Sequence, residues 1–369
     1  MTNYIRFNQI AANDSWIEVV TQPILNFQVS TATQYQFMDL IPIILAKEEQ
    51  KCRLGEITAQ TLRMLNSRLN ANLKPYFGNM NLGQISSKDI LGFIEHLDRQ
   101  SIKPITIRQY LGLLKRILTI AVLEGWMENL PVFPKVRGKS IPRASLSVDQ
   151  YMLILRTSKA LSHLNLSNNQ ITHRNTANNV YVKDGPIPPE MIRLIRFMTN
   201  TFLRPVDIKL LQHKHIQIVE GKQCYLRINL PETKRHSGQV VSLRAAVRLY
   251  KTIKGEQLKI GHGHPNDFVF FPNVNNRSKA IQIISYLFSR IVKAAHLEIS
   301  SDGQKRTLYS LRHTAITFRL IYGHGIDLLT LARNARTSVE MIEKFYSSNL
   351  KAEMNVNLLQ SKRTLRVWA

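Results

Sequence analysis

Hydrophobic residues recur with a helical period through the first part of the chain. Three segments space their apolar side chains three or four residues apart: Thr61–Leu69, Ile90–Leu97 and Ile107–Ala121. This spacing is typical of helices that bury one face. Pro75 and Gly78 stand where the first of these helices is expected to stop, because neither residue favours a continuing helix. The pattern predicts a compact domain of about four helices over residues 39–134.

A second, larger domain is predicted over residues 145–346. Ser147 is placed as the N-cap of one helix, and Pro188–Pro189 as the start of the next. Two β-branched runs follow, Cys224–Leu230 and Gln239–Leu243, and the polar turn between them predicts a β-hairpin. The remainder is largely helical. The predicted fold class is therefore mainly α with a small antiparallel sheet, an α+β protein.

The segments outside these domains have weaker patterns. Residues 1–38 are polar and mixed, and we interpret them as an N-terminal arm of undefined structure. Residues 135–144 combine prolines with basic side chains and indicate an extended linker. Such a linker can lie against phosphates or simply be solvated, and the residues allow both. Residues 163–184 indicate a polar surface insertion, and residues 347–369 form a C-terminal tail.

Charge narrows the choice of partner. The chain has 50 Lys and Arg against 25 Asp and Glu, a net charge of +25. Such an excess is self-repelling and indicates a polyanionic partner, with nucleic acid as the first candidate and an anionic membrane surface as the second. The basic residues are spread over periodic segments instead of one amphipathic helix, which disfavours the membrane. A generally basic surface without a specific partner stays open.

Cysteine usage and the N-terminus bear on the compartment. Cys52 and Cys224 are far apart and lack metal-site spacing, so neither a disulfide framework nor a zinc site is expected. The N-terminal residues lack the apolar core of a signal peptide. The apolar run Leu40–Ala46 is too short to span a bilayer. These features predict a cytoplasmic protein.

Two arginines are candidates for binding a phosphate group. Pro205 suits the first turn of a helix and so places Arg204 at its N-terminal edge, where Asp207 can orient the guanidinium or cap the turn. Arg312 is predicted to open a second, apolar helix and to hold the same phosphate from another side. His313 is a candidate supporting residue, although a packed histidine is the commoner case. The Arg204–Asp207 motif alone also fits an ordinary surface ion pair.

Three further residues complete the candidate set. Lys234 lies on the predicted hairpin turn, where a lysine is usually only solvated, but a mobile ammonium can also protonate a leaving alkoxide. Thr337 with Glu340 fits a capping box, so it has a structural interpretation as the cap of the last helix. Tyr346 is a candidate nucleophile. A phenol with a pKa of about 10 needs nearby cations to react at neutral pH, and two arginines and a lysine would supply them.

In this order, these motifs resemble the tyrosine recombinase, or phage integrase, family. The likeness extends from about Asp39 to Tyr346. The first domain, with GEITAQTLRMLNSRLN, LKPYFGNMNL and TIRQYLGLLKRILTIAVLEGW, is similar to the family's SAM-like core-binding domain, and the second to its catalytic domain. Arg204, Lys234 and Arg312 match the first arginine, the lysine and the second arginine of the family's catalytic set. Tyr346 matches the nucleophile.

Two positions depart from the family pattern. Tyr309 stands where the family has His, three residues before the second arginine. Thr337 stands where it has His or Trp, nine residues before the nucleophile. Both keep a hydroxyl for a phosphate oxygen, but neither moves a proton near neutral pH as an imidazole does. A catalytically degenerate, binding-only relative therefore stays open.

The resemblance implies a site-specific recombinase that cuts and rejoins DNA through a 3′-phosphotyrosyl link, without metal or cofactor, to integrate or excise a mobile element. It also implies a homotetramer on paired double-stranded DNA sites, a tail packed on a neighbouring subunit, accessory DNA-bending proteins, and a nucleoid location in a bacterium. A type IB topoisomerase is an alternative with the same chemistry. An RNA-binding module would need stacking aromatics on a sheet, which are not found. The residues assigned to DNA contact are Arg108, Lys115, Arg116, Lys135, Arg137, Lys139 and Arg143.

Overall fold

The computed structural model describes residues 35–138, 144–163, 185–230, 238–323 and 325–346. The chain folds as two compact units, Met1–Ser140 and Ile141–Ala369. Each unit has its own hydrophobic core. The predicted fold class is confirmed, because helices dominate both units and the second contains one small antiparallel sheet.

The first unit is helical. Its elements are α1 (Leu40–Arg53), α2 (Ala59–Arg68), α3 (Lys74–Phe77), α4 (Ser87–Arg99) and α5 (Pro104–Leu123). Helix α5 buries Ile117 and Leu118 completely, and it packs against α1. Phe37, just before α1, is also fully buried in this core. The last residues of the predicted N-terminal arm therefore contribute to the helical unit.

Pro75 does not stop a helix, contrary to the prediction. Helix α2 continues through a π-helical segment, Leu69–Leu73, directly into α3, where Pro75 lies in the first turn. Pro75 has no N–H to donate to the π-helical turn before it, and the run nevertheless continues to Phe77. Gly78 is the C-cap residue at which α3 ends, and an added Cβ there would lie 2.5 Å from the Lys74 carbonyl oxygen.

The second unit joins helices to a three-stranded sheet. Its helices are α6 (Val148–Ser162), α7 (Pro189–Thr201), α8 (Pro205–Leu210), α9 (Arg244–Leu258), α10 (Arg277–Ala294), α11 (Leu308–Tyr322), α12 (Leu328–Asn334) and α13 (Val339–Tyr346). Helix α7 packs against α6, α9 and α11. Ser147 caps α6, accepting a hydrogen bond from the Gln150 N–H at 3.2 Å, as predicted. The predicted start of α7 at the proline pair is also confirmed.

The sheet has the order β1-β2-β3 and is antiparallel throughout. Its strands are β1 (Ile216–Val219), β2 (Tyr225–Ile228) and β3 (Val240–Val241). The predicted hairpin corresponds to β2 and β3, in which Ile228 pairs with Val240. Strand β1, which pairs with β2, was not predicted.

A small apolar cluster brings the last three helices together at one side of this unit. Phe202, from the end of α7, packs there with Ile316 of α11, Leu331 of α12 and Ile342 of α13. Tyr346 belongs to the same cluster. The polar groups described next lie on the elements that this cluster joins.

Candidate active site

Arg204 is positioned by the junction between α7 and α8. Phe202 ends α7 in the left-handed region, with φ of 58°, and its side chain is buried. The chain turns there, and Arg204 becomes the N-cap residue of α8. Its N–H donates to Asp207 Oδ2 at 2.8 Å. Asp207 thus caps the turn, one of its two predicted roles, and Arg204 lies half-buried at the helix edge.

Arg312 lies in α11 but not at its start, contrary to the prediction. The helix begins four residues earlier, because Thr307 forms its N-cap and its N–H donates to Ser310 Oγ at 3.1 Å. Arg312 is therefore in the second turn, and only 2% of the residue is exposed. Its Nη1 donates to the Phe202 carbonyl, and its Nη2 donates to the Ala335 carbonyl at 2.5 Å.

The second arginine is a desolvated cation. Burial lowers the pKa of Arg312, and the nearby positive charge of Arg204 lowers it further. Among the described residues, no acceptor is found for its Nε. Backbone carbonyls bind its other donors without cancelling its charge. Such a group is ready to bind an anion.

The turn between α12 and α13 supplies carbonyls to both arginines. The Arg336 carbonyl accepts from Arg204 Nη2, and the preceding carbonyl, of Ala335, accepts from Arg312. The contact with Arg204 spans 132 residues of sequence and that with Arg312 spans 23, and together they bring the two guanidinium groups to the same turn. This turn was not assigned any role in binding the arginines from the sequence.

Tyr346, the last residue of α13, faces the arginine pair. It is 6% exposed. Burial raises the pKa of Tyr346 to about 12, against the positive charges of Arg312 and Arg204 and a hydrogen bond with Arg312. Tyr309 adds to the rise. The phenol is therefore held neutral at physiological pH in the protein without DNA.

His313 stacks on Tyr346. Their ring centroids are 4.7 Å apart and their planes differ by 21°. His313 also contacts the Tyr309 ring, with centroids 5.3 Å apart. His313 is 6% exposed. The structure thus places His313 and Tyr309 beside the candidate nucleophile and fixes the plane of its ring.

Thr337 does not cap α13, contrary to its structural interpretation. The Ser338 hydroxyl accepts a hydrogen bond from the Met341 N–H at 3.2 Å and takes that role. The Thr337 N–H instead donates to the Ala332 carbonyl at 2.9 Å, in the turn that ends α12. Thr337 is half-buried next to Arg336. Lys234 lies outside the described residues.

Arg336 is a member of this cluster that was not predicted. It is 4% exposed, and its Nη1 lies 3.9 Å from Asp207 Oδ1. Nothing in the sequence around it distinguishes it from a surface arginine. It adds a third guanidinium to the site.

A basic groove lies in the first unit. Its volume is about 650 Å³, and its basic lining residues are Arg108, Lys115, Lys135 and Arg137. Arg108 Nη2 donates to the Gly138 carbonyl at 3.4 Å, and Phe133 and Val136 pack against the helical core. The first part of the predicted linker therefore lies along α5 instead of hanging free.

Arg116 does not line this groove. It forms an ion pair with Glu48, whose side chain is 2% exposed and also contacts Lys51 at 2.8 Å. Burial opposes ionisation of Glu48, but the hydrogen bonds and charges of the two cations prevail and lower its pKa. Lys139 and Arg143, also assigned to DNA contact, lie outside the described residues.

Among the described residues, none of the helices is long and apolar enough to cross a membrane. In the same part of the chain, no histidines, cysteines or carboxylates gather in groups of three or more that would suit a metal ion.

The helical unit and the α+β unit have the fold of solved tyrosine recombinase structures. Residues 36–137 match the family model of the phage integrase SAM-like domain. No curated protein matches the chain significantly.

Solved structures match nearly the whole chain. A lambda integrase dimer bound to a COC′ core site has a TM-score of 0.58 at 14% identity, covering 89% of this chain and 80% of that chain. A lambda integrase tetramer bound to a Holliday junction has a TM-score of 0.62 at 14% identity, covering 86% and 79%. The Tn1549 transposon integrase in complex with transposon right end DNA has a TM-score of 0.58 at 14% identity, covering 88% and 99%.

Proposed function

We propose that this chain is a site-specific DNA recombinase that cuts and rejoins DNA strands through a covalent link to Tyr346. The observation that carries the proposal is the convergence of Arg204 and Arg312 on the Tyr346 phenol, since both charges act on its pKa. Two guanidinium groups beside a nucleophilic side chain suit a phosphodiester, which carries one negative charge before attack and two in the transition state.

In the first step, the arginine pair binds the non-bridging oxygens of the scissile phosphate. Arg312 enters this step already desolvated and oriented by two carbonyls. Little reorganisation is then needed when charge develops on the phosphate. A bound phosphodiester also lies beside the nucleophile, which fixes the attacking distance.

In the second step, the Tyr346 oxygen attacks phosphorus and the bond to the 5′ oxygen breaks. The products are a 3′-phosphotyrosine and a 5′-hydroxyl. Lys234 donates the proton that the leaving oxygen takes up. A 5′-hydroxyl from a partner duplex then attacks the phosphotyrosine and releases Tyr346. Each step breaks one phosphorus–oxygen bond and forms another, so neither ATP nor redox chemistry is required.

The phenolic proton leaves to water in this scheme. His313 is the imidazole beside Tyr346, but it stacks with its face on the phenol ring, with planes 21° apart. Its nitrogens therefore point along the stack plane and away from a direct line to the ring it covers. We assign His313 to holding the nucleophile in orientation. Tyr309 and Thr337 provide hydroxyls for phosphate oxygens.

We further propose that the basic groove of the first unit grips the same double-stranded DNA through its phosphates. Lambda integrase forms a tetramer on a Holliday junction. By that likeness we propose that this chain works as a homotetramer on two paired sites, integrating or excising a mobile element.

Covalent trapping tests the proposal. The protein is incubated with labelled, nicked duplexes taken from the DNA that flanks its gene, denatured with detergent, and run on a gel. We expect a labelled protein band for the wild type and none for Tyr346→Phe. Tyr322→Phe is the matched control, since that tyrosine is 57% exposed at the far end of α11; its band should equal the wild type's.

Each outcome decides between functions. A band that survives in Tyr346→Phe would remove Tyr346 from the chemistry. No wild-type band, despite salt-sensitive DNA binding, would favour a degenerate DNA-binding relative. Relaxation of supercoiled DNA by a monomer, without recombinant products, would favour a type IB topoisomerase.

A further inference from the structure

Arg336 has a backbone conformation that is costly for an arginine. Its φ is 52°, in the left-handed region. Its N–H donates to the Arg333 carbonyl at 3.0 Å, and the Thr337 N–H donates to the Ala332 carbonyl at 2.9 Å. These two bonds form a Schellman motif at the end of α12, a position that glycine normally occupies. A glycine would adopt this conformation without strain.

The side chain at this strained position is buried against the site. Arg336 Nη1 lies 3.9 Å from Asp207 Oδ1, with side-chain exposures of 2% and 10%. Asp207 in turn accepts from the Arg204 N–H. Burying a guanidinium costs free energy unless it interacts with an anion. Both the backbone and the side chain are therefore in places that folding alone would not favour.

The charges around this contact bear on phosphate binding. The charge of Arg204 acts on Arg312, and so does the carboxylate of Asp207, which lies beside Arg336. A pentacoordinate phosphate transition state carries a charge of −2. A carboxylate that approached Arg204 or Arg312 closely would instead weaken their attraction for phosphate.

We propose that Arg336 is a positioning residue of the strand-cleavage site. It acts as the counter-ion of Asp207, and it thereby leaves the charges of Arg204 and Arg312 for the scissile phosphate. The turn it belongs to also aims two carbonyls at those arginines. The inference rests on the proposed function, because it assigns Arg336 a role in that same reaction.

The test uses Arg336→Gly, because glycine fits the left-handed turn. Thermal unfolding checks that the variant folds: glycine relieves the strain of the left-handed turn and so raises the Tm, whereas the loss of the buried ion pair with Asp207 opposes that gain. The single-turnover rate of covalent complex formation at saturating protein should fall by roughly 10- to 100-fold, the scale expected when reacting groups are misplaced by about 1 Å. The Kd for DNA should stay within about threefold, since the groove in the first unit is untouched. Arg336→Lys should restore part of the rate.

The matched control is His296→Gly. His296 ends α10 in the same conformation, with φ of 54°, and the same pair of bonds, from its own N–H to Lys293 and from Leu297 to Val292. Glycine should raise the Tm there too and leave the cleavage rate unchanged. A rate loss in both variants would assign the effect to the backbone and overturn the proposal.

A double-mutant cycle tests the route through Asp207. If Arg336 acts on the site through this carboxylate, Asp207→Asn combined with Arg336→Gly should be no slower than the slower single variant. Additive losses would overturn that route. An Arg336→Gly rate equal to the wild-type rate would overturn the proposal itself. These outcomes require a wild-type band, whose absence would overturn the proposed function first.

Discussion

Glu190 lies in the first turn of α7, the helix that leads to Arg204. Its Oε1 accepts a hydrogen bond from the Phe271 N–H at 2.7 Å. Burial raises the pKa of the Glu190 carboxyl to about 7, although that hydrogen bond and the charges of Arg193 and Arg277 oppose the rise. Glu190→Gln keeps the shape and the carbonyl acceptor and removes the ionisation.

The pH dependence follows from the two states. The unfolded carboxyl releases its proton near 4.5 and the folded one near 7. Below pH 4.5 both are protonated, so ionisation does not alter the stability. Between these values the unfolded state loses its proton first, so the free energy of unfolding falls as pH rises. Each pKa unit is worth about 1.4 kcal/mol, so the total loss above pH 7 is about 3 kcal/mol.

Hydrogen exchange of α7 peptides, compared between wild type and variant at the same pH, measures this difference for the second unit alone. We expect Glu190→Gln to match the wild type near pH 4.5 and to exceed it by about 3 kcal/mol near pH 8. Glu340→Gln, on the exposed start of α13, is the control and should show no such growth. A Glu190→Gln difference that is constant with pH would refute the reasoning.

Three further predictions concern function. Lys115→Gln should reduce the slope of log DNA affinity against log salt concentration by about 0.9, as measured by filter binding. Arg116→Gln breaks the ion pair with Glu48, so it should keep that slope and lower the Tm in thermal unfolding. The single-turnover cleavage rate should rise continuously from about pH 6 to about pH 9, because the neutral Tyr346 phenol must lose its proton, and a plateau near pH 7 would contradict this. His313→Phe should keep most of the cleavage rate, because a phenyl ring preserves the stack on Tyr346, whereas His313→Ala should lower the rate roughly tenfold. An equal loss of rate in both variants would indicate that His313 carries a proton.

Apolar spacing and turn residues were sufficient to predict most helices and the hairpin, because one-sided burial leaves a repeating pattern. The hydrogen bonds that cap individual helices were harder to predict. Arg312 was predicted to open a helix because the apolar run starts near it, but Thr307 and Ser310 form the cap one turn earlier. Thr337 and Ser338 are adjacent hydroxyls, and the Schellman turn leaves only Ser338 in the N-cap place.

Arg336 had no signature in the sequence. Left-handed helix ends are normally recognised by glycine or asparagine, and this one has an arginine. Its contact with Asp207 spans a long separation in the chain, which no local pattern reports. The family resemblance did not predict it either, since its catalytic set was matched at other positions. Contacts between the turn after α12 and the start of α8 bring it into the site.

Arg204 and Arg312 donate to backbone carbonyls, and this has an electrostatic consequence. The carbonyls of Phe202, Ala335 and Arg336 fix the two guanidinium planes through dipoles, which satisfy N–H donors without adding a negative charge. Carboxylates would hold the planes equally well but would compete with the phosphate for the same charge. A site that must bind an anion strongly, and more strongly in its transition state, therefore favours carbonyl partners. The sequence cannot show this choice, because every residue has the same backbone carbonyl whatever its side chain.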